Sequence, residues 1–254
     1  MTKKRKYKPL TRKAKFRLAL VIAVGILILV LAVSLLVFAV RGVAGLLDKE
    51  KDGAMDGSVP VISDQFEMEP AATVILDPGH GGSDGGAVAM LNGEEIAEKD
   101  IDVAVTHLVK MLLERKNIQV LLTRTEDVDM DLKARTRFAN GTDADLFVSL
   151  HCNTVEDSRE ANGLECYYEK QGEKGKTLAE NIMAAAEATG KIETRELRTE
   201  MMYVVRFTDM PATLVEMGFM TNEEELEKLC RSSYQQVLAE AIAEGILQTL
   251  GLEE

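Results

Sequence analysis

Only three histidines occur in the 254 residues, and two of them lie where an apolar strand gives way to a turn. His80 sits inside ILDPGHGGSDGG (75–86), and His151 follows the strand-like run LFVSL (146–150). Imidazoles at the carboxyl ends of two strands can converge on one point, and metal ligation is the chemistry that asks for such a pair. Hydrolytic zinc sites commonly add one carboxylate to two histidines and keep a position open. The acids near His80 are Asp84, Glu94, Glu95, Glu98 and Asp100, and spacing alone does not choose among them. Glu98 stands at the expected start of a helix, where the dipole favours a carboxylate, though a capping acid would stand there too. Hydrolysis also needs a proton acceptor. ATLVEMGF puts Glu216 in an otherwise apolar strand, where a carboxylate is costly unless paired or used; a glutamate facing solvent from an edge strand is the other reading. His107 falls inside a helix and reads as an ordinary side chain.

The glycines around His80 need a reason of their own. The run has neither the Lys-Ser/Thr of a P-loop nor the G-x-G-x-x-G spacing of a dinucleotide site. Gly79, Gly81 and Gly82 instead allow a sharp turn that leaves one face of His80 open to a bulky substrate.

Elements that could position these groups alternate along the chain. Strands are expected at 73–76, 119–123, 146–150, 164–168, 202–205 and 212–217. Helices are expected at 98–115, 131–140, 176–188, 223–229 and 234–250, the first from Ile101, Val105, Leu108, Val109 and Leu112 at helical spacing. This alternation predicts an α/β domain over 71–254: a single twisted, mostly parallel sheet with helices on both faces.

Ahead of that domain the composition changes abruptly. Residues 1–17 form a basic tail without an acid, and 18–40 (LALVIAVGILILVLAVSLLVFAV) are uncharged and long enough to cross a bilayer as a helix. The positive-inside rule keeps the tail cytoplasmic and everything after Arg41 outside, giving a single-pass signal-anchor protein of the cell membrane. A cleavable signal peptide ending near Ala39, and hence secretion, is the rival. Residues 41–70 read as a linker. Ten of the 30 basic residues lie in the first 41, so the remainder carries 20 basic against 42 acidic residues, a net −22. That balance argues against nucleic acid as a partner. Cys152, Cys166 and Cys230 show no C-x-x-C spacing and read as small buried residues.

Taken in order, ILDPGHGGSDGGA, AEKDIDVAV, VLLTRTED, LFVSLHCN and MPATLVEMGFMTN resemble the zinc-dependent N-acetylmuramoyl-L-alanine amidases, a cell-wall hydrolase family with a phosphorylase/hydrolase-like α/β domain. The resemblance runs from about Thr73 to Leu250. It implies one Zn2+ per chain held by His80, Glu98 and His151, with Glu216 as the catalytic acid-base. It implies peptidoglycan as the partner and hydrolysis of the amide between N-acetylmuramic acid and L-alanine. Arg124 and Asn153 fall in matching motifs and are candidates to orient a ligand or substrate, with structural roles as the alternative.

Two departures from the family matter. Position 152 is usually a small residue such as alanine, whereas Cys152 here brings a thiol beside the metal site; a continuing strand would point it away from His151. Some relatives also carry a plugging helix between the second histidine and the catalytic glutamate. The interval from His151 to Glu216 leaves little room for one, so an open site needing no activator is expected. Two other readings stand beside the amidase: a membrane-anchored muropeptide-binding pseudoenzyme, and a zinc peptidase of the stem peptide. The absence of H-E-x-x-H gives the latter no support from the common helical zinc-protease motif.

Overall fold

The computed structural model describes residues 69–169 and 173–253, with the side chains of 173 and 174 left out. The expected tail, anchor and nearly all of the linker fall outside these residues. Among the described residues, no helix is long and apolar enough to cross a membrane.

A six-stranded sheet runs through the domain. In chain order its strands are β1 (Ala72–Pro78), β4 (Ile118–Leu122), β5 (Leu146–Asn153), β6 (Leu164–Tyr167), β7 (Thr194–Arg198) and β8 (Ala212–Phe219). Their spatial order is β4-β1-β5-β8-β6-β7, and β2 (Val88–Leu91) pairs with β3 (Glu94–Ala97) as a separate hairpin. The strands β4, β1, β5 and β8 are parallel, as the strand–helix alternation leads one to expect. The pair β6 and β7 is parallel within itself but antiparallel to β8, so the sheet is mixed with a parallel majority.

Side-chain alternation divides the core between the two faces. On one, Val74, Leu76, Val148, Leu150, Val215 and Met217 pack under helices α1 (Glu98–Glu114), α3 (Glu173–Ala188), α5 (Glu223–Leu229) and α6 (Ser232–Leu250). On the other, Ile75, Phe147, Leu214 and Tyr167 pack with Ala139 of α2 (Leu132–Ala139) and with Val204 and Val205 of the single turn α4 (Tyr203–Arg206). The second cover is short, and it leaves the carboxyl ends of the parallel strands open where function collects in such sheets.

Three local expectations change. Residues 202–205 are not a strand: Val204 and Val205 are both buried, which a helical turn permits and an alternating strand does not. The edge strand lies instead in TRELR (194–198), whose charges hide it from a hydrophobic pattern. His151 stands within β5 rather than just beyond it, because the strand continues to Asn153.

Candidate active site

Helix α1 begins without a side-chain cap; the carbonyls of Ala87 and Gly85 accept from Glu98 N and Lys99 N instead. The loop after β1 thereby fastens the helix start to the His80 turn. Glu98 is 4 % exposed and reaches both imidazoles, its Oε1 lying 3.0 Å from His80 Nε2 and 3.0 Å from His151 Nδ1. Its other contacts are backbone donors: Cys152 N to Oε1 at 3.1 Å and Ala87 N to Oε2 at 2.8 Å. The two rings meet edge to face with centroids 4.9 Å apart. One donor atom from each of His80, Glu98 and His151 lies within 4.8 Å of the others, a group that could hold a metal ion.

Electrostatics also suits a cation. Burial alone would raise the Glu98 pKa, but hydrogen bonds from His151 and His80 outweigh it and bring the value to about 2. Burial alone would lower the His80 pKa, but Glu98 and then Asp84, whose Oδ2 is 2.9 Å from His80 Nδ1, carry it to about 9. The cluster therefore draws positive charge, and without a metal it takes a proton. Asp84 also fixes the ring so that Nε2 faces Glu98, as the outer partner of a metal-binding histidine does.

The turn itself is built tightly. A methyl group added to Gly79 would come within 2.4 Å of His151 Cε1 and 2.7 Å of Asp102 Oδ2, so the glycine is required for close approach. At Gly86 the demand is double: φ is +67°, and a methyl group would meet Glu98 Oε2 at 2.5 Å. His80 itself takes φ 54°, a conformation that costs a non-glycine residue about 1 kcal/mol. Two buried arginines hold it there. Arg135 donates to Pro78 O at 2.7 Å, to His80 O at 2.5 Å and to Asp77 Oδ1 at 2.7 Å. Asp77 also accepts from the hydroxyls of Thr123 and Ser149 at 2.5 and 2.8 Å. Arg124, only 5 % exposed, donates to the carbonyls of Pro78, Gly79 and Glu126. The candidate substrate residue Arg124 is thus committed to backbone behind the turn.

Glu216 is not on an edge. The strand β8 runs between β5 and β6, and its register sets Glu216 beside His151 on one side and Glu165 on the other. Its Oε2 is buried with no hydrogen-bond partner, and burial, added to by Glu98 and Glu165 against the pull of the histidines, raises its pKa to about 7. Asn153 does not reach into this space as a free side chain. Its Nδ2 donates to Glu165 Oε2 at 3.1 Å and its Oδ1 accepts from Thr154 N at 2.7 Å. Cys152 points the other way from His151 into the helix-covered core, and all three cysteines are free thiols.

Reading the sequence alone missed Asp77, Arg135, Asp102 and Glu165. Asp77 stood in the quoted ILDPGH with no role given to it. Asp102 is fully buried beside the site with the Cys152 thiol against its carboxylate and no other polar partner, and burial followed by the charges of Glu98 and Glu216 raises its pKa well above the usual range. Its place one turn after Glu98, on the same helix face, was the available signal.

Comparison with known proteins agrees with this geometry. Residues 74–248 match the N-acetylmuramoyl-L-alanine amidase family. The chain is 31 % identical over 190 residues to the germination-specific N-acetylmuramoyl-L-alanine amidase of Bacillus subtilis, covering 69 % of this chain and 78 % of that protein. It is 34 % identical over 196 residues to the N-acetylmuramoyl-L-alanine amidase LytC of the same organism, covering 74 % of this chain but only 38 % of that longer protein. The crystal structure of an N-acetylmuramoyl-L-alanine amidase from Clostridium difficile 630 superposes with a TM-score of 0.68 at 34 % identity, over 72 % of this chain and 99 % of that one. A fold with the His80, Glu98 and His151 cluster at the carboxyl ends of its interior parallel strands, matched along nearly its whole described length, places this chain in the N-acetylmuramoyl-L-alanine amidase family of enzymes.

Proposed function

We propose that the protein hydrolyses the amide joining the lactyl group of N-acetylmuramic acid to the L-alanine of the peptidoglycan stem, with one Zn2+ held by His80, Glu98 and His151. Two imidazoles and one carboxylate are a donor set that fits zinc, and the anionic Glu98 between two histidines supplies the local charge to receive it. When bound there, zinc supplies Lewis acidity toward the carbonyl under attack and lowers the pKa of a coordinated water. The observation that carries the proposal is Glu216. Its Oε2 is buried and unpartnered, next in register to His151, with a pKa near working pH. Glu216 takes one proton from the attacking water and returns it to the alanine nitrogen as the C–N bond breaks, leaving a free amine and a lactyl carboxylic acid that gives its remaining proton to solvent. His151 and Glu98 orient the site, Asp84 fixes the His80 ring, and Arg124 and Arg135 hold the turn without touching substrate.

The chain's first 70 residues complete the proposal. The basic tail (1–17), the anchor (18–40) and the linker (41–70) tether the enzyme to the bacterial cell membrane with its catalytic domain outside, confining hydrolysis to nearby wall. No activator protein is required. The test is digestion of purified peptidoglycan by the zinc-loaded full-length protein in detergent, with products identified by mass spectrometry and Glu216→Ala as control. Intact stem peptides with a free L-alanine amine are expected, and none from the control. Cleavage within the stem would make it a peptidase, and binding without release would make it a muropeptide-binding protein.

A further inference from the structure

The row His151, Glu216, Glu165 does not end at Glu165. That carboxylate is 1 % exposed, and Asn153 Nδ2 and the Tyr167 hydroxyl donate to its Oε2 at 3.1 and 3.0 Å. From the edge strand Arg195 Nε donates to Oε1 at 2.5 Å, and Arg198 Nε lies 3.4 Å from the same oxygen, an ion contact without hydrogen-bond alignment. A single buried carboxylate thus faces two guanidinium groups. Each meets Glu165 through Nε. The side chains are 39 % and 34 % exposed. Arg195 is fixed further by the face of the buried Phe219, 5.1 Å from its Cζ, and by a long contact from Nη1 to Asn162 O. Arg198 Nη1 donates to the exposed Glu200 at 2.9 Å. Neither Nη2 makes a hydrogen bond among the described residues.

Glu165 takes one of the two positive charges and the other meets only the exposed Glu200, in a portion of the chain that carries a net −22. The substrate named above divides in the same way: its glycan is uncharged, whereas its stem peptide carries carboxylates. Acidic residues dominate the surface of that portion of the chain, so an anionic peptide enters more favourably beside a local cation. Distances agree. Strands lie about 4.8 Å apart, which puts β7 about 10 Å from β8. An extended peptide covers about 3.5 Å per residue, so that gap spans two to three residues.

Resting on the amidase reading, we infer that Arg195 and Arg198 form a carboxylate subsite for the second or third residue of the stem peptide, set in place by Glu165 beside the general base. Their planar donors suit a carboxylate and discriminate against the neutral amide that replaces it in amidated stems.

The experiment uses the zinc-loaded full-length protein with muramoyl peptides whose second- and third-residue carboxyls are free or amidated. Wild type is expected to prefer the peptide with the recognised carboxyl free by roughly 10- to 100-fold in kcat/KM, chiefly through KM. Arg195→Gln and Arg198→Gln should each bring the free-to-amidated ratio of kcat/KM most of the way to one, whatever the change in absolute rate, and Arg198→Lys should restore part of it. Equal losses on free and amidated peptides, with Tm lowered, would reduce the arginines to structural partners of Glu165. No preference in wild type would overturn the subsite outright. Calorimetric binding of the same peptides to Glu216→Ala separates the two readings. Discrimination there without any cleavage of the muramoyl–alanine bond by wild type would keep the subsite and sink the amidase.

Discussion

Glu216 is held where its charge is unwelcome, and this makes function and stability oppose each other at one residue. Its folded pKa of about 7 lies above the ordinary value of 4.5, so the folded state binds the proton more tightly than the unfolded state. That contribution is fully present below pH 4.5 and is lost as pH rises toward 7. Glu216→Gln should therefore raise the Tm of the metal-free protein, more at pH 8 than at pH 5, while lowering kcat by about 100- to 10,000-fold with zinc content unchanged. Calorimetric melts beside turnover and metal analysis check both halves. His80 yields a second expectation. With its pKa raised to about 9 it carries a proton at neutral pH, and that proton must leave before the nitrogen can ligate. Zinc titrations at pH 7 in buffers of different ionisation enthalpy should show close to one proton released per metal, falling as the pH passes 9. Apart from metal binding, the His80 charge helps the fold below pH 6.5 and ceases to help as pH rises through about 9.

Elements decide how well these residues are aimed. The turn between β1 and α1 is kept in shape by Asp77 and Arg135, both almost fully buried. Removing one member of a buried pair strands the other, so Asp77→Ala should cost about 3–5 kcal/mol in denaturant unfolding. The two histidines of the candidate metal group were legible in sequence because each marks an abrupt change of local pattern, one among glycines and one ending an apolar run. Choosing Glu98 over Asp84, Glu94, Glu95 and Asp100 from spacing was not feasible. The hairpin β2–β3 folds back between them, and only the helix start faces both rings. Asn92–Gly93, with φ of 52° and 85°, is the turn signal that could have revealed that hairpin. Glu165 and the arginines were invisible for a different reason. Their meeting depends on the antiparallel register of β6, and the charges of β7 look like solvent-facing residues until the buried carboxylate is seen.

A metal ion bound at the proposed site would cross-link the whole domain. The three ligands come from the turn after β1, the start of α1 and the interior of β5, so a bound ion ties together parts that otherwise meet through packing. Stripping zinc with a chelator should lower Tm, and free zinc at a hundredfold excess over its Kd should restore about 2.7 kcal/mol. A melt that ignores the chelator would mean that the cluster does not bind the ion. The order of the strands carries a further consequence. Glu216 stands on β8, the seam at which the sheet changes from parallel to antiparallel. Everything that ligates or braces the ligands lies on the parallel side. Everything that carries the arginine pair lies on the other, in a stretch of chain that leaves β5 and returns at β8. On the subsite reading, residues 154–211 read the peptide and the parallel half splits water, and Glu165, which also raises the pKa of Glu216, is where the two are coupled.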